Sequence, residues 1–157
     1  MMAAKMSLDE VSDVMGMKSP TMAGHLIRRL NQISTQTFAH HMQEHGIALT
    51  PVQFAAMDAI HSNPDIDQAS VAARIVYDKA TIGGVIDRLV QKGYVERSVS
   101  KNDRRARALR LSKEGTSLFD VAMPIVSGLQ DDILPGLNAA EREMFLKLAA
   151  RVVAAPS

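Results

Sequence analysis

The residues around Gly93 constrain this chain more than any others, because the hydrophobic period changes there from helical to extended. Upstream, Ile82, Val85, Ile86, Leu89 and Val90 recur at the three-and-four spacing of one buried helix face, so a helix is expected from Asp78 or a near neighbour to about Lys92. Gly93 supplies its left-handed stop. Downstream, residues 94–99 read as a strand, 101–104 as a turn and 106–111 as the returning strand, a two-stranded hairpin. A short helix handed directly to a hairpin points to a mainly α fold with a small β element.

Helix start signals place the remaining elements. Ser19-Pro20 opens a long helix to about Glu44, in which Leu26, Ile27, Leu30, Ile33, Thr37 and Phe38 keep helical spacing. Thr50-Pro51 repeats the signal ahead of Phe54, Ala55, Met57 and Ile60, and the helix stops at Asn63-Pro64. Asp67 caps a short helix to about Ile75. After the hairpin, residues 112–115 restart a helix that runs to about Leu134 with Pro124 as an interruption. Asn138 and Glu141 have capping-box spacing and begin the last helix, with Met144, Phe145, Leu148, Val152 and Val153 expected to face inward.

With 157 residues and 46% hydrophobic content, the chain can bury one substantial core. The absence of cysteine excludes disulfides and thiolate metal sites. No apolar run approaches the roughly 20 residues that span a bilayer, and Asp9, Glu10 and Asp13 make residues 1–18 unlike a signal peptide. A soluble, cytoplasmic protein is expected. The net charge of +1 conceals a strong asymmetry. Residues 71–115 hold eleven basic and five acidic side chains, a net of +6, and the remainder carries −5. Such a split suits a fold of which one part approaches a polyanion; a merely solvated charged face is the other reading.

Two short helices joined by a tight turn and followed at once by a basic hairpin are the parts of a winged helix-turn-helix. The first helix braces; the second presents its N-terminal turns to base edges in the major groove. Gly83 and Gly84 cost on the order of 1 kcal/mol each relative to alanine inside a helix. Close approach to DNA and tight helix packing both account for them. At the hairpin tip, Asp103 precedes two arginines, Arg104 and Arg105, whose guanidinium groups can reach phosphates or a narrow minor groove.

In order and spacing, the run DKATIGGVIDRLVQKGYVERSVSKNDRRARALRLSKEG resembles the MarR family of bacterial regulators, with similarity extending over residues 50–115. The resemblance implies a six-helix plan and a homodimer. It divides the chain into an N-terminal extension (1–18) and one domain (19–157). Within that domain, 19–49 and 116–157 would form a helical dimerisation region and 50–115 the winged helix-turn-helix. It further implies a transcriptional regulator of pseudo-palindromic operators in double-stranded DNA, usually a repressor relieved by a small ligand. Carried over to matching positions, Arg104 is the wing-tip arginine, flanked by Lys101 and Arg105. Asp103 steadies the wing through Arg88 or a neighbouring arginine. Gln68, Ser70, Lys79, Thr81 and Arg88 are the helix-turn-helix contacts.

The family commonly binds small anionic aromatic compounds where its first, second and fifth helices meet. Here His25, Arg28 and Arg29 offer a carboxylate clamp, and Phe38, Met57 and Ile60 offer apolar walls. Dimer salt bridges or solvent exposure are the better explanation for any one of the three polar residues, with at least one of them expected in a pocket. The wording of the first helix is nearest to regulators of aromatic-acid catabolism, so a small aromatic carboxylate effector is expected, with no other cofactor. A metal-responsive regulator built on His41 and His45, with His40, Glu44 and His61 nearby, and a ligand-independent regulator are the alternatives. A protein-interaction module with a basic wing is a further class. No phosphate loop or nucleophile elbow supports an enzyme.

Overall fold

The computed structural model describes residues 7–101 and 105–156, and the chain divides into two compact units, one of residues 1–37 with 128–157 and the other Phe38–Ser127. The first unit opens with a helix in the stretch read as an extension. Helix α1 (Leu8–Met15) starts from a capping box in which the Ser7 hydroxyl accepts from the Glu10 amide and the Glu10 carboxylate accepts from the Ser7 amide. It ends at Gly16 in the left-handed region, φ +62°.

Ser19-Pro20 starts a 3-10 turn (Ser19–Thr21) rather than the long helix, which is α2 (Ala23–Glu44). Met22 interrupts the two with extended backbone. The last residues of α2, including the buried Phe38 and Met42, belong to the second unit.

Helix α3 (Pro51–Ser62) follows from the Thr50 capping box, which Gln53 completes. A two-residue strand, β1 (Ile66–Asp67), precedes α4 (Gln68–Ile75) and α5 (Lys79–Gln91), and β2 (Val95–Val99) and β3 (Arg107–Leu111) form the hairpin. The sheet therefore has three strands, in the order β1-β3-β2, all antiparallel, rather than the two expected. Strand β1 escapes a period argument because two residues cannot show one. It forms because Asp65, at φ +69°, turns the chain so that its own N–H donates to the Leu109 carbonyl at 3.0 Å. Asp is among the few side chains that tolerate this conformation.

The second core is built from one face of each element. Met57 and Ile60 of α3, Val71 of α4, Ile82, Ile86 and Leu89 of α5, and Leu109 of β3 are fully buried. This unit reaches beyond residues 50–115 because Phe38 and Phe119 enclose Phe54, with ring centroids 6.2 and 5.5 Å away.

Helix α6 (Lys113–Gly128) passes through Pro124 without stopping, and the break falls at Leu129, before α7 (Gln130–Ile133). Proline removes one backbone hydrogen bond but does not end the helix here. Helix α8 (Ala139–Ala154) begins from the Asn138–Glu141 capping box as read. Of the residues expected to face inward, Phe145 is half-buried, but Met144, Leu148 and Val152 are 56, 49 and 72% exposed, and Val153 is exposed too.

The base of the hairpin is closed by a clamp. The Ser112 hydroxyl donates to the Gly93 carbonyl (2.6 Å) and accepts from the Gly115 amide (2.9 Å), and the Ser112 amide donates to the Tyr94 carbonyl (3.0 Å). Gly115 lies so close to that strand that a Cβ would stand 2.0 Å from the Tyr94 oxygen. Gly115→Ala must therefore displace backbone. Urea unfolding should show a loss of about 3 kcal/mol or more; a loss within 0.5 kcal/mol, roughly that of a neutral surface change, would deny the close approach.

Candidate nucleic-acid interface

The helix pair is capped by two aspartates acting alike. Asp67 accepts from the Ser70 amide (2.8 Å) and hydroxyl (3.1 Å), and Asp78 from the Thr81 amide (2.8 Å) and hydroxyl (2.5 Å). Each satisfies an amide that the first helical turn would leave open. The Thr81 hydroxyl and then its amide hold the Asp78 carboxyl below its ordinary value. Ser70 and Thr81, expected as contacts, thus spend their hydroxyl hydrogens on the caps and keep oxygen lone pairs to offer.

Between the helices, Val76 closes α4 in the left-handed region at φ +56° and is 86% exposed. That conformation is rare for a β-branched residue and carries strain.

Arg97 joins the three parts. From β2 its guanidinium reaches Asp87 of α5 at 2.5 Å and the side-chain oxygen of Gln68 on α4 at 3.3 Å. The same Gln68 amide group lies 3.2 Å from where a Gly83 Cβ would stand, so Gly83 permits the close packing of α4 on α5. Of the two explanations for the paired glycines, packing has a neighbour at Gly83, the end of the Gln68 side chain. Among the described residues, a Cβ on Gly84 would meet nothing within 4 Å.

An open groove of about 410 Å³ lies between the two helix starts and the wing. Gln68, Lys79 and Arg105, all expected contacts, line it with Asp67, Ala69, Ala106 and Arg107. Lys101 is exposed on the wing. Arg88 lines a different cleft, of about 500 Å³, with Thr50, Gln53, Gln91 and Lys92. The Lys92 ammonium donates to the Ala48 carbonyl there at 2.7 Å. Asp103 and Arg104 lie outside the described residues. Arg107 and Arg97 were not singled out from the sequence. The alternation of β3 hinted at Arg107, whereas pairing Arg97 with Asp87 requires knowing that the Gly93 turn folds β2 back along α5.

The expected ligand residues fall in both units. In the first, the Arg28 guanidinium lies 3.0 Å from His25 Nδ1, and Arg29 donates to the Gln32 oxygen at 2.7 Å. In the second, Phe38, Met57 and Ile60 are buried, and Ile60 borders a small cleft of about 130 Å³ with His61 and Arg110.

The histidines do not converge as a metal site would require. His45 Nδ1 faces the His41 carbonyl at 2.8 Å, His40 pairs with Glu44 at 3.4 Å, and His61 stacks on Phe119 with centroids 4.6 Å apart. Among the described residues, no three His, Cys, Asp or Glu side chains come close enough to hold a metal ion. No helix among them is long and apolar enough to cross a membrane.

A family model for the MarR family matches residues 49–106. Over 131 residues the chain is 31% identical to the transcriptional regulator HosA of Escherichia coli, an alignment covering 83% of this chain and 94% of that one. Among solved structures, it is similar to BpsR of Bordetella bronchiseptica, whose DNA binding is regulated by 6-hydroxynicotinic acid (TM-score 0.80, 27% identity, 87% and 96% of the two chains). It is also similar to the PcaV transcriptional regulator of Streptomyces coelicolor in complex with its natural ligand (TM-score 0.78, 30% identity, 87% and 95%).

The outer strand of the sheet is tied by a bidentate pair, Arg110 Nε and Nη2 each 2.6 Å from an Asp65 carboxylate oxygen. The hydrogen bond from Arg110 holds the Asp65 carboxyl below its ordinary 3.8; desolvation opposes this, and the charges of Arg110 and then Lys101 add to it. A carboxyl lowered by folding stabilises the fold above its unfolded value and loses that contribution as pH falls through the folded one. Wild type should therefore resist urea better than Asp65→Asn at neutral pH, with the gap closing as pH falls below 3.8. A gap that persists undiminished to about pH 2 would show that the charge contributes nothing.

Proposed function

Since the chain belongs to the MarR family of transcriptional regulators, we propose that it binds pseudo-palindromic operators in double-stranded DNA as a homodimer and is released by a small aromatic carboxylate. The observation carrying this reading is the groove in which Lys79 of α5 and Arg105 and Arg107 of the wing surround one concavity. A recognition helix and a wing that share a cationic trough suit a phosphate backbone passing between them. In this reading Gln68, Ser70, Lys79, Thr81 and Arg88 act from the helix pair, and Lys101, Asp103, Arg104 and Arg105 from the wing. The protein acts in the cytoplasm, where its operators lie.

The dimer is supported by the exposed apolar face of α8. Met144, Leu148 and Val152 recur four residues apart on one side of the helix, and burying such a row against a second copy removes apolar surface from water. Two recognition helices roughly 34 Å apart would then enter successive major grooves. An effector that binds more tightly to a dimer of different spacing lowers DNA affinity by its preference between the two states and by no more.

The effector class is supported by BpsR, which responds to a hydroxylated aromatic acid, and by the ligand-bound PcaV. His25, Arg28 and Arg29 would hold the carboxylate. The repressor role rests on the family pattern.

Two measurements test this. In anisotropy titrations with a duplex selected from a random pool, Arg104→Ala should weaken binding and flatten the logarithmic salt slope by about one unit per lost phosphate contact. Unchanged affinity and slope would remove Arg104 from the interface. In thermal-shift screening of aromatic carboxylates, including 6-hydroxynicotinic acid, at least one should raise the melting temperature of wild type and less so that of Arg29→Ala. No shift in either protein would point to a ligand-independent regulator.

A further inference from the structure

Helix α5 hides Ile82, Ile86 and Leu89 completely and turns the opposite side outward, where Thr81, Gly84, Arg88 and Gln91 follow one another at spacings of three and four. Gly84 is exposed at the centre of this row. Its neighbour Gly83 has the Gln68 amide beside it, but among the described residues nothing lies within 4 Å of a Gly84 Cβ. Nor does the backbone, since Gly84 is not among the positive-φ glycines of the described residues. Glycine within a helix loosens it relative to alanine, by leaving the unfolded chain more freedom. The chain thus gives up helix stability at a point where neither packing nor conformation asks for it.

The absent side chain leaves room for something approaching from outside. The row starts two residues after Lys79 and contains Arg88, which suits an anionic partner. We infer that Gly84 is the point where the α5 backbone comes closest to the base edges of the operator, and that it is a specificity-determining position because a Cβ there would meet DNA. The inference rests on the DNA-binding reading above and deepens it. It assigns sequence discrimination on this helix to shape as well as to hydrogen bonds, the bare backbone admitting base pairs whose major-groove substituents protrude.

The test compares the full-length chain with Gly84→Ala. Wild type is used to select duplexes from a random pool, and both proteins are then titrated against the selected duplex and a scrambled one, with melting temperatures recorded alongside. For Gly84→Ala we expect a melting temperature higher by about 2–4 °C. We expect at least tenfold weaker binding to the selected duplex and unchanged binding to the scrambled one, since phosphate contacts are kept. Equal affinity of both proteins for the selected duplex would overturn the assignment while leaving DNA binding intact. So would a lowered melting temperature, because it would reveal an internal need for glycine. If wild type selects no sequence at all, the DNA-binding reading fails, and the Gly84 assignment with it.

Discussion

Ile82, Ile86 and Leu89 are all fully buried, and because they lie four and three residues apart they fix the rotation of α5 about its own axis. Once that face is committed to the core, the opposite face is determined as well: Thr81, Gly84 and Arg88 point to solvent because no other rotation buries the isoleucines. The chemistry of the exposed surface is thus set by hydrophobic burial on the far side. Of the polar side chains there, Thr81 also serves the helix itself, through the Asp78 cap.

Rotation alone does not place the wing. Arg97 does so by bonding to α5 through Asp87 and to α4 through Gln68. Exposed ion pairs contribute little stability, typically 0–1 kcal/mol, so the value of this one lies in geometry: it keeps β2, and hence the groove lined by Lys79, Arg105 and Arg107, in one relation to both helices. Gln68 is caught between two demands, since the same amide group packs on Gly83 and accepts from Arg97. A residue expected to read bases is in this structure also part of the scaffold.

Element type was legible wherever capping or periodicity speaks locally. The Thr50, Asp67, Asp78 and Asn138 caps all start helices where the side-chain pattern put them, and Gly93 adopts φ +80° as its stop position suggested. What escaped depends on distance along the chain. Strand β1 exists only because Leu109 is there to pair with, and the Arg97–Asp87 and Arg110–Asp65 ties join residues brought together by turns. The last helix shows a different limit. Its apolar residues were read as core by periodicity, but periodicity says only that a face is apolar and not which surface covers it.

The Ser112 clamp carries a consequence for how such a protein can diverge. It joins Gly93 and Tyr94 to the start of α6 at the root of the hairpin, so the hydrophobic interior is sealed before the chain departs into the wing. Changes of length or charge between Val99 and Arg107 lie on the far side of this clamp from the buried core. Loops of this kind tolerate insertions and deletions better than the elements they join, so length change at the hairpin tip is a route to altered target preference that leaves the clamp in place.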